Sequence, residues 1–309
     1  MKPTLDKISE IFIENLKIDK PLFKMTPQEA RTFLKDLQKE YYSNVEGEVE
    51  SLKIFNDSAG EIDIKLVYPK SEEPLPLIIY CHGGGWVMGD FEDFEITIKT
   101  IANISKSAIA FINYSRSPEF QFPTAIKQIY AALEFFSKNA DNPRINTEKI
   151  SLMGDSAGAN MAFVTAMNAK YSEIKIQKIV LVYPVCDASM KTNSYNEYKN
   201  GPWLSKKAME WFWNSYNKDK EAQNSHFMSI LNTLTEDMQG LPPTLVITAE
   251  NDVLRDEGEE FARKLIKANV ETISVRINNV FHDFTLLNVL KESPAVKFTY
   301  KIIGSFLNS

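Results

Sequence analysis

Long apolar runs are missing from this chain. No stretch approaches the ~18 uninterrupted apolar residues that a membrane-spanning helix needs, so no membrane association is expected. The first residues, Met1 to Leu16, carry a charge every few positions and no apolar segment, which does not suit a secretory leader. Cysteine is scarce. Cys81 and Cys186 each lie in or beside an apolar run, and reduced core thiols of a cytoplasmic protein are expected rather than a disulfide. His82, His226 and His282 are the only histidines. They are scattered, with no cluster at metal-ligand spacing, and no metal or other cofactor is expected. An excess of positive charge is also lacking: the net charge is -6. That argues against nucleic acid or an anionic membrane as the main partner.

What remains is a chain able to bury a substantial core, with 309 residues of which 44% are hydrophobic. That suffices for one large α/β domain or two small ones. The N-terminal region reads as helical, with Leu5, Ile8, Phe12 and Leu16 recurring near helical spacing. Thr26-Pro27-Gln28-Glu29 then carries a capping box with proline in the first turn, and Ala30, Phe33, Leu34, Leu37 and Tyr41 follow on one face. From Glu48 the period shortens. Glu48–Asn56 and Ile62–Pro69, separated by a turn-like segment ending at Gly60, predict an antiparallel pair.

Short runs apolar on both faces follow at Leu75–Cys81, Ala108–Asn113, Ile150–Met153, Ile176–Tyr183, Thr244–Ala249 and Thr272–Ile277. Helical patterns lie among them at Ile96–Lys106, Thr124–Asn139, Ala157–Tyr171, Glu257–Ala268 and Pro294–Leu307. Such alternation implies an α/β fold whose mainly parallel sheet is covered by helices. The segment from Cys186 to Gly240 breaks the pattern and is too long for a simple connection. Within it Met209, Phe212, Trp213 and Tyr216 share a helical face that suits a small unit packed with the N-terminal helices. The expected organisation is N-terminal helices at 1–45, an α/β core at 46–185 and 241–309, and an insertion at 186–240.

Gly154-Asp155-Ser156-Ala157-Gly158 follows the run Ile150–Met153 and opens a helix. This is the strand–turn–helix setting in which G-x-S-x-G holds a serine hydroxyl above a sheet. Alone the motif is weak, since a serine capping a helix is commonplace. His82-Gly83-Gly84-Gly85-Trp86 follows another buried run. Consecutive glycines leave their N–H groups unshielded, as half of an oxyanion hole requires, the other half coming from the residue after the nucleophile. A phosphate loop would need the Lys-Ser/Thr that is absent.

A serine nucleophile needs a base. His82 belongs to the glycine loop and supports it by hydrogen bonds, while His226 lies in the insertion. His282 follows the last apolar run, which gives the chain order serine, acid, histidine. The acid must then follow Thr244–Ala249, where Glu250, Asp252, Asp256 and Glu257 qualify by type. Asp256 and Glu257 suit the first turn of the next helix. Asp252 is the leading candidate, with Glu250 second.

In these motifs the chain resembles the hormone-sensitive lipase family of esterases, also called bacterial family IV. The resemblance covers almost the whole chain: the glycine loop with Gly89-Asp90, Tyr114 with Pro118-Glu119 and Phe122-Pro123, the serine motif, Tyr183-Pro184, Gly240-Leu241-Pro242-Pro243, Asp252 with Leu254-Arg255-Asp256, and His282. The Gly-Asp-Ser-Ala-Gly run is similar to the family's GDSAG branch. The resemblance implies an α/β-hydrolase fold with a mainly parallel eight-stranded sheet flanked by helices. It further implies a helical cap built from the N-terminal helices and the insertion, and hydrolysis of short-chain acyl esters without a cofactor.

Carried over residue by residue, Ser156 is the nucleophile that forms the acyl-enzyme, Asp252 the acid and His282 the base. Gly84 and Gly85, with Gly83 nearby, join Ala157 in the oxyanion hole, and His82 supports the loop. The implied partner is a small-molecule ester, and a homodimer is left open. The chain departs from the family at Ser115, where an arginine is displaced to Arg116, and at Phe94, Val253 and Asp283. Asp283 sets a negative charge beside His282 and bears on pH optimum and substrate range. Gly84→Val is expected to obstruct the oxyanion hole with little effect on stability, because the loop lines the surface.

Two further readings share this fold. A non-catalytic small-ligand receptor would sit poorly with the retained His282. An amidase or lactonase could use the same triad, because the acyl pocket decides.

Overall fold

Capping residues start both N-terminal helices. α1 (Lys7–Asn15) begins where the Asp6 carboxylate accepts from the Ile8 and Ser9 N–H groups, and α2 (Pro27–Glu40) begins at the reciprocal Thr26–Glu29 box. The computed structural model describes residues 3–41, 44–138 and 142–309. After α2 come β1 (Glu48–Asn56), β2 (Gly60–Tyr68), β3 (Leu75–Cys81), α3 (Phe91–Ser105), β4 (Ala108–Asn113), α4 (Thr124–Lys138), β5 (Ile145–Asp155) and α5 (Ala157–Ala169). β6 (Ile176–Val182) leads into the insertion, which holds α6 (Asn193–Glu197), α7 (Lys206–Tyr216), α8 (Lys220–Gln223) and α9 (Thr235–Met238). β7 (Thr244–Asn251), α10 (Arg255–Lys267), β8 (Thr272–Phe281) and α11 (Pro294–Asn308) complete the chain.

The strands form one eight-stranded sheet in the order β1-β2-β4-β3-β5-β6-β7-β8. β2 runs antiparallel to both β1 and β4, and every pairing beyond β4 is parallel. Successive side chains of a strand point to opposite faces, and both faces of the central strands are covered. Leu77, Ile79 and Cys81 of β3 enter a core shared with α4, α5 and α10, whereas Ile78 and Tyr80 enter one shared with α3 and α11. This explains why the central strands read as unbroken apolar runs. It also leaves the carboxyl ends of β3, β5, β7 and β8 as the edge where loops can meet.

Two elements start five residues earlier than expected, for local reasons. α3 starts at Phe91 rather than Ile96, because the Asp90 carboxylate caps Glu92 and Asp93 while Asp93 returns a bond to the Asp90 N–H. Phe91 and Phe94 continue the helical spacing of Ile98 and Ile101 back to that box, into the same core. β5 starts at Ile145 rather than Ile150, since Leu75 and Pro76 pair with Ile145 and Asn146 before a register shift. Asn139, the last residue of the expected fourth helix, lies outside the described residues.

The N-terminal helices and the insertion meet the same loops. Buried Gln38 of α2 donates to the Asp93 and Leu286 carbonyls and accepts from the Asn288 N–H. Arg31 donates to the Val87 and Ser117 carbonyls and pairs with Glu119. From the other side, Lys207 of α7 lies 5.4 Å over the ring of Phe23. Among the described residues, no helix is long and apolar enough to cross a membrane.

Candidate active site

β5 ends in a sharp turn at Ser156, which has φ 52° and ψ -121°. A non-glycine residue adopts that backbone only when its surroundings hold it there. Here they do, because the Ser156 N–H donates to the Val182 carbonyl at 2.8 Å and the Ser156 carbonyl accepts from Val185 at 3.2 Å. The flanking glycines are dictated by close approach. A Cβ on Gly154 would strike the Gly158 carbonyl, and one on Gly158 would strike that of Cys81. Ser156 is thereby held at the start of α5, whose first N–H groups point toward it.

The loops after β7 and β8 supply its neighbours. The Ser156 Oγ and His282 Nε2 are 2.8 Å apart, and His282 Nδ1 lies 2.7 Å from Asp252 Oδ2. A ring nitrogen facing a carboxylate carries the proton, so in the neutral ring Nδ1–H donates to Asp252 and Nε2 can accept from the serine hydroxyl. The other Asp252 oxygen accepts from the Leu254 N–H at 3.0 Å. All three side chains are buried. Burial disfavours the charged imidazole, but the Asp252 carboxylate and then Asp283 outweigh it and push His282 up to about 9.

The competing acids point elsewhere. Glu250 accepts from the Asn279 N–H, and Asp256 accepts from Arg255 and the Ser194 N–H. Glu257 lies in the first turn of α10, as expected, and is buried there, accepting from the Cys186 N–H at 2.7 Å, which fixes the start of the insertion. Exposed His226 packs on Phe227, and buried His82 stacks 4.0 Å from Tyr114. Burial pulls His82 down to about 3, and its Nδ1 faces the Gly83 carbonyl at 2.9 Å. The ring is therefore neutral inside the glycine loop.

In the glycine loop the Gly83 N–H is given to Asp155 Oδ1 at 3.0 Å, beside the Tyr80 hydroxyl at 2.8 Å. Burial pushes the Asp155 carboxyl up to about 7. Asp155 therefore ties the glycine loop to the serine turn, a role legible only in that it adjoins the nucleophile in the motif. The Gly84 and Gly85 N–H groups have no protein acceptor among the described residues. Gly84 has φ 89°, and a Cβ there would run into the Met88 carbonyl. A Cβ on Gly85 would run into Phe212 of α7.

Ser156 and His282 open onto a cavity of about 60 Å³. Its walls include Ile18, Leu22 and Phe33 from the N-terminal region and Trp203, Met209 and Phe212 from the insertion. Trp203 and Asp283 were not foreseen as a pair: the indole Nε1 donates to Asp283 Oδ2 at 2.8 Å.

A family model described as the α/β hydrolase fold matches residues 78–286. The chain belongs to the α/β hydrolase family. This hydrolase is 39% identical to an α/β hydrolase of Acanthamoeba polyphaga mimivirus over 97% of its own length and 86% of that protein's. It is 30% identical to an arylesterase of Saccharolobus solfataricus over 77% of both. The crystal structure of a thermostable esterase from Pseudomonas putida superposes with a TM-score of 0.97 at 36% identity, covering 100% of this chain and 98% of that one. The resemblance to the hormone-sensitive lipase family is upheld, and the hydrolase is a carboxylic ester hydrolase of the serine type.

Gly84→Val is now expected to be destabilising as well as obstructive, because the loop backbone must move. The left-handed backbone alone should cost ~1–2 kcal/mol, read as a lower midpoint of thermal unfolding. An unchanged midpoint would show that the loop yields freely.

Proposed function

We propose that this hydrolase is a carboxylesterase that cleaves short-chain acyl esters through an acyl-enzyme on Ser156. The observation that carries the reading is the unbroken hydrogen-bonded line from Ser156 through His282 to Asp252, opening on an apolar cavity. As Oγ attacks the ester carbon, His282 Nε2 takes the hydroxyl proton and Asp252 stabilises the resulting imidazolium. The N–H groups of Gly84, Gly85 and Ala157 receive the negative carbonyl oxygen. Collapse breaks the bond to the alcohol oxygen, which leaves with the proton from Nε2, and water then repeats the sequence to release the acid. Gly83 acts through the loop, as a donor to Asp155.

In this reading residues 1–45 and 186–240 form a cap over the core at 46–185 and 241–309. The cavity walls drawn from both segments support it, and the small volume favours short acyl groups. Two buried free thiols fit a reducing, cytoplasmic setting. The test is a p-nitrophenyl ester series from acetate to laurate beside the matching anilides. The expected result is turnover of the esters of roughly two to eight carbons, with kcat/KM falling beyond that range and the anilides nearly inert. Faster anilide turnover would make the enzyme an amidase, and a rise toward laurate would contradict the cap.

The pH profile follows from the charges around His282. The base must be neutral to accept the serine proton, and Asp252, Asp283 and Asp155 all favour its charged form. The neutral fraction therefore grows as pH rises, and kcat/KM should climb along an acid limb centred near about 9. A limb at the ordinary histidine value would mean that these carboxylates do not hold the imidazolium.

A further inference from the structure

Asp283 is the one carboxylate that faces the cavity among the described residues lining it. It stands where the backbone has φ 64°, a conformation that aspartate and asparagine tolerate better than other side chains except glycine. One carboxylate oxygen, Oδ2, is fixed by the Trp203 indole. The other, Oδ1, is buried with no hydrogen-bond donor and lies 3.5 Å from His282 Nε2. A buried carboxylate oxygen without a donor is costly. Trp203 and Phe33, whose rings stack at 6.2 Å, line the same cavity.

The reaction itself decides which part of an ester this oxygen would meet. Nε2 must hand its proton to the leaving oxygen, which therefore comes within hydrogen-bond reach of Nε2, about 2.6–3.2 Å. Asp283 Oδ1 adjoins that same nitrogen at 3.5 Å. The first atoms beyond the leaving oxygen must then pass Asp283, so it faces the alcohol side of the ester. An ammonium group two carbons from that oxygen would come beside the Asp283 carboxylate and the aromatic faces together.

Resting on the esterase reading, we propose that Asp283, held by Trp203, is a specificity-determining residue that selects esters of amino alcohols bearing a positive charge near the ester oxygen. In the step it favours, Ser156 Oγ bonds to the acyl carbon and the bond to the alcohol oxygen breaks. The amino alcohol leaves with the Nε2 proton, its ammonium charge unchanged.

The experiment compares kcat/KM for choline acetate and 3,3-dimethylbutyl acetate, which have the same shape with nitrogen or carbon at the branch. The native protein should prefer the cation by at least about tenfold. Asp283→Asn keeps an acceptor for Trp203 and tolerates the backbone, and it should bring the ratio close to one. Should that variant not fold, inhibition of the neutral ester in the native protein serves instead, with choline expected to bind at least about tenfold tighter than 3,3-dimethylbutanol. Turnover of the neutral ester without cation preference, or a preference undiminished in Asp283→Asn, would overturn the inference and leave the esterase reading intact. A preference for 2-hydroxyethyl over propyl acetate without one for the cation would replace the charge by a neutral donor and overturn it too. If neither these nor p-nitrophenyl esters were hydrolysed, the esterase reading would fall and this inference with it.

Discussion

The 2.7 Å bond between His282 and Asp252 is the interaction on which the rest of the site depends. Both groups are nearly inaccessible to water, at 3% and 2% exposure. A buried carboxylate is tolerated only with partners, and Asp252 has two, the imidazole and the Leu254 N–H. The fold has to bring the loops after β7 and β8 together to satisfy that charge. Once they meet, the ring's other nitrogen can face only where the turn after β5 has placed Ser156. The pairing of β7 with β8, which persists to Asn251 and Phe281, delivers both loops at the same edge.

Around this line lie further acids that do different work because their surroundings differ. Asp155 is enclosed and raised toward neutrality, bonded to the Tyr80 hydroxyl and the Gly83 N–H, and so acts as a strut between the serine turn and the glycine loop. Asp283 lies at the cavity wall with one oxygen fixed by Trp203. Glu257 is buried against the start of the insertion. The glycine loop is in turn wedged between Asp155 and Phe212, which is why side chains are excluded at Gly83 and Gly85 for different reasons. Membership of the α/β hydrolase family and this arrangement of acids agree on ester chemistry.

Much of this was legible in the sequence because local chemistry and the tertiary fold point the same way. The apolar runs at Leu75–Cys81 and Ala108–Asn113 coincide with strands, since residues buried on both faces need no partner information to be recognised. Ser156, Asp252 and His282 were placed by order along the chain. Other features depend on what lies across the fold. The early start of α3, by contrast, rests on a local exchange between Asp90 and Asp93. Gly83 looked like its neighbours until the distance to Asp155 showed its N–H in use. The Trp203–Asp283 bond joins positions 80 residues apart, and no spacing rule anticipates it.

The central claim is that this hydrogen-bonded line makes Ser156 the nucleophile. It is tested most directly by reacting the protein with a p-nitrophenyl phosphonate and locating the adduct by peptide mass spectrometry. The account predicts one phosphonyl group per chain, on Ser156, with loss of esterase activity in step with labelling and no label on a folded Ser156→Ala variant. Labelling at another residue, or sustained turnover in Ser156→Ala, would contradict it.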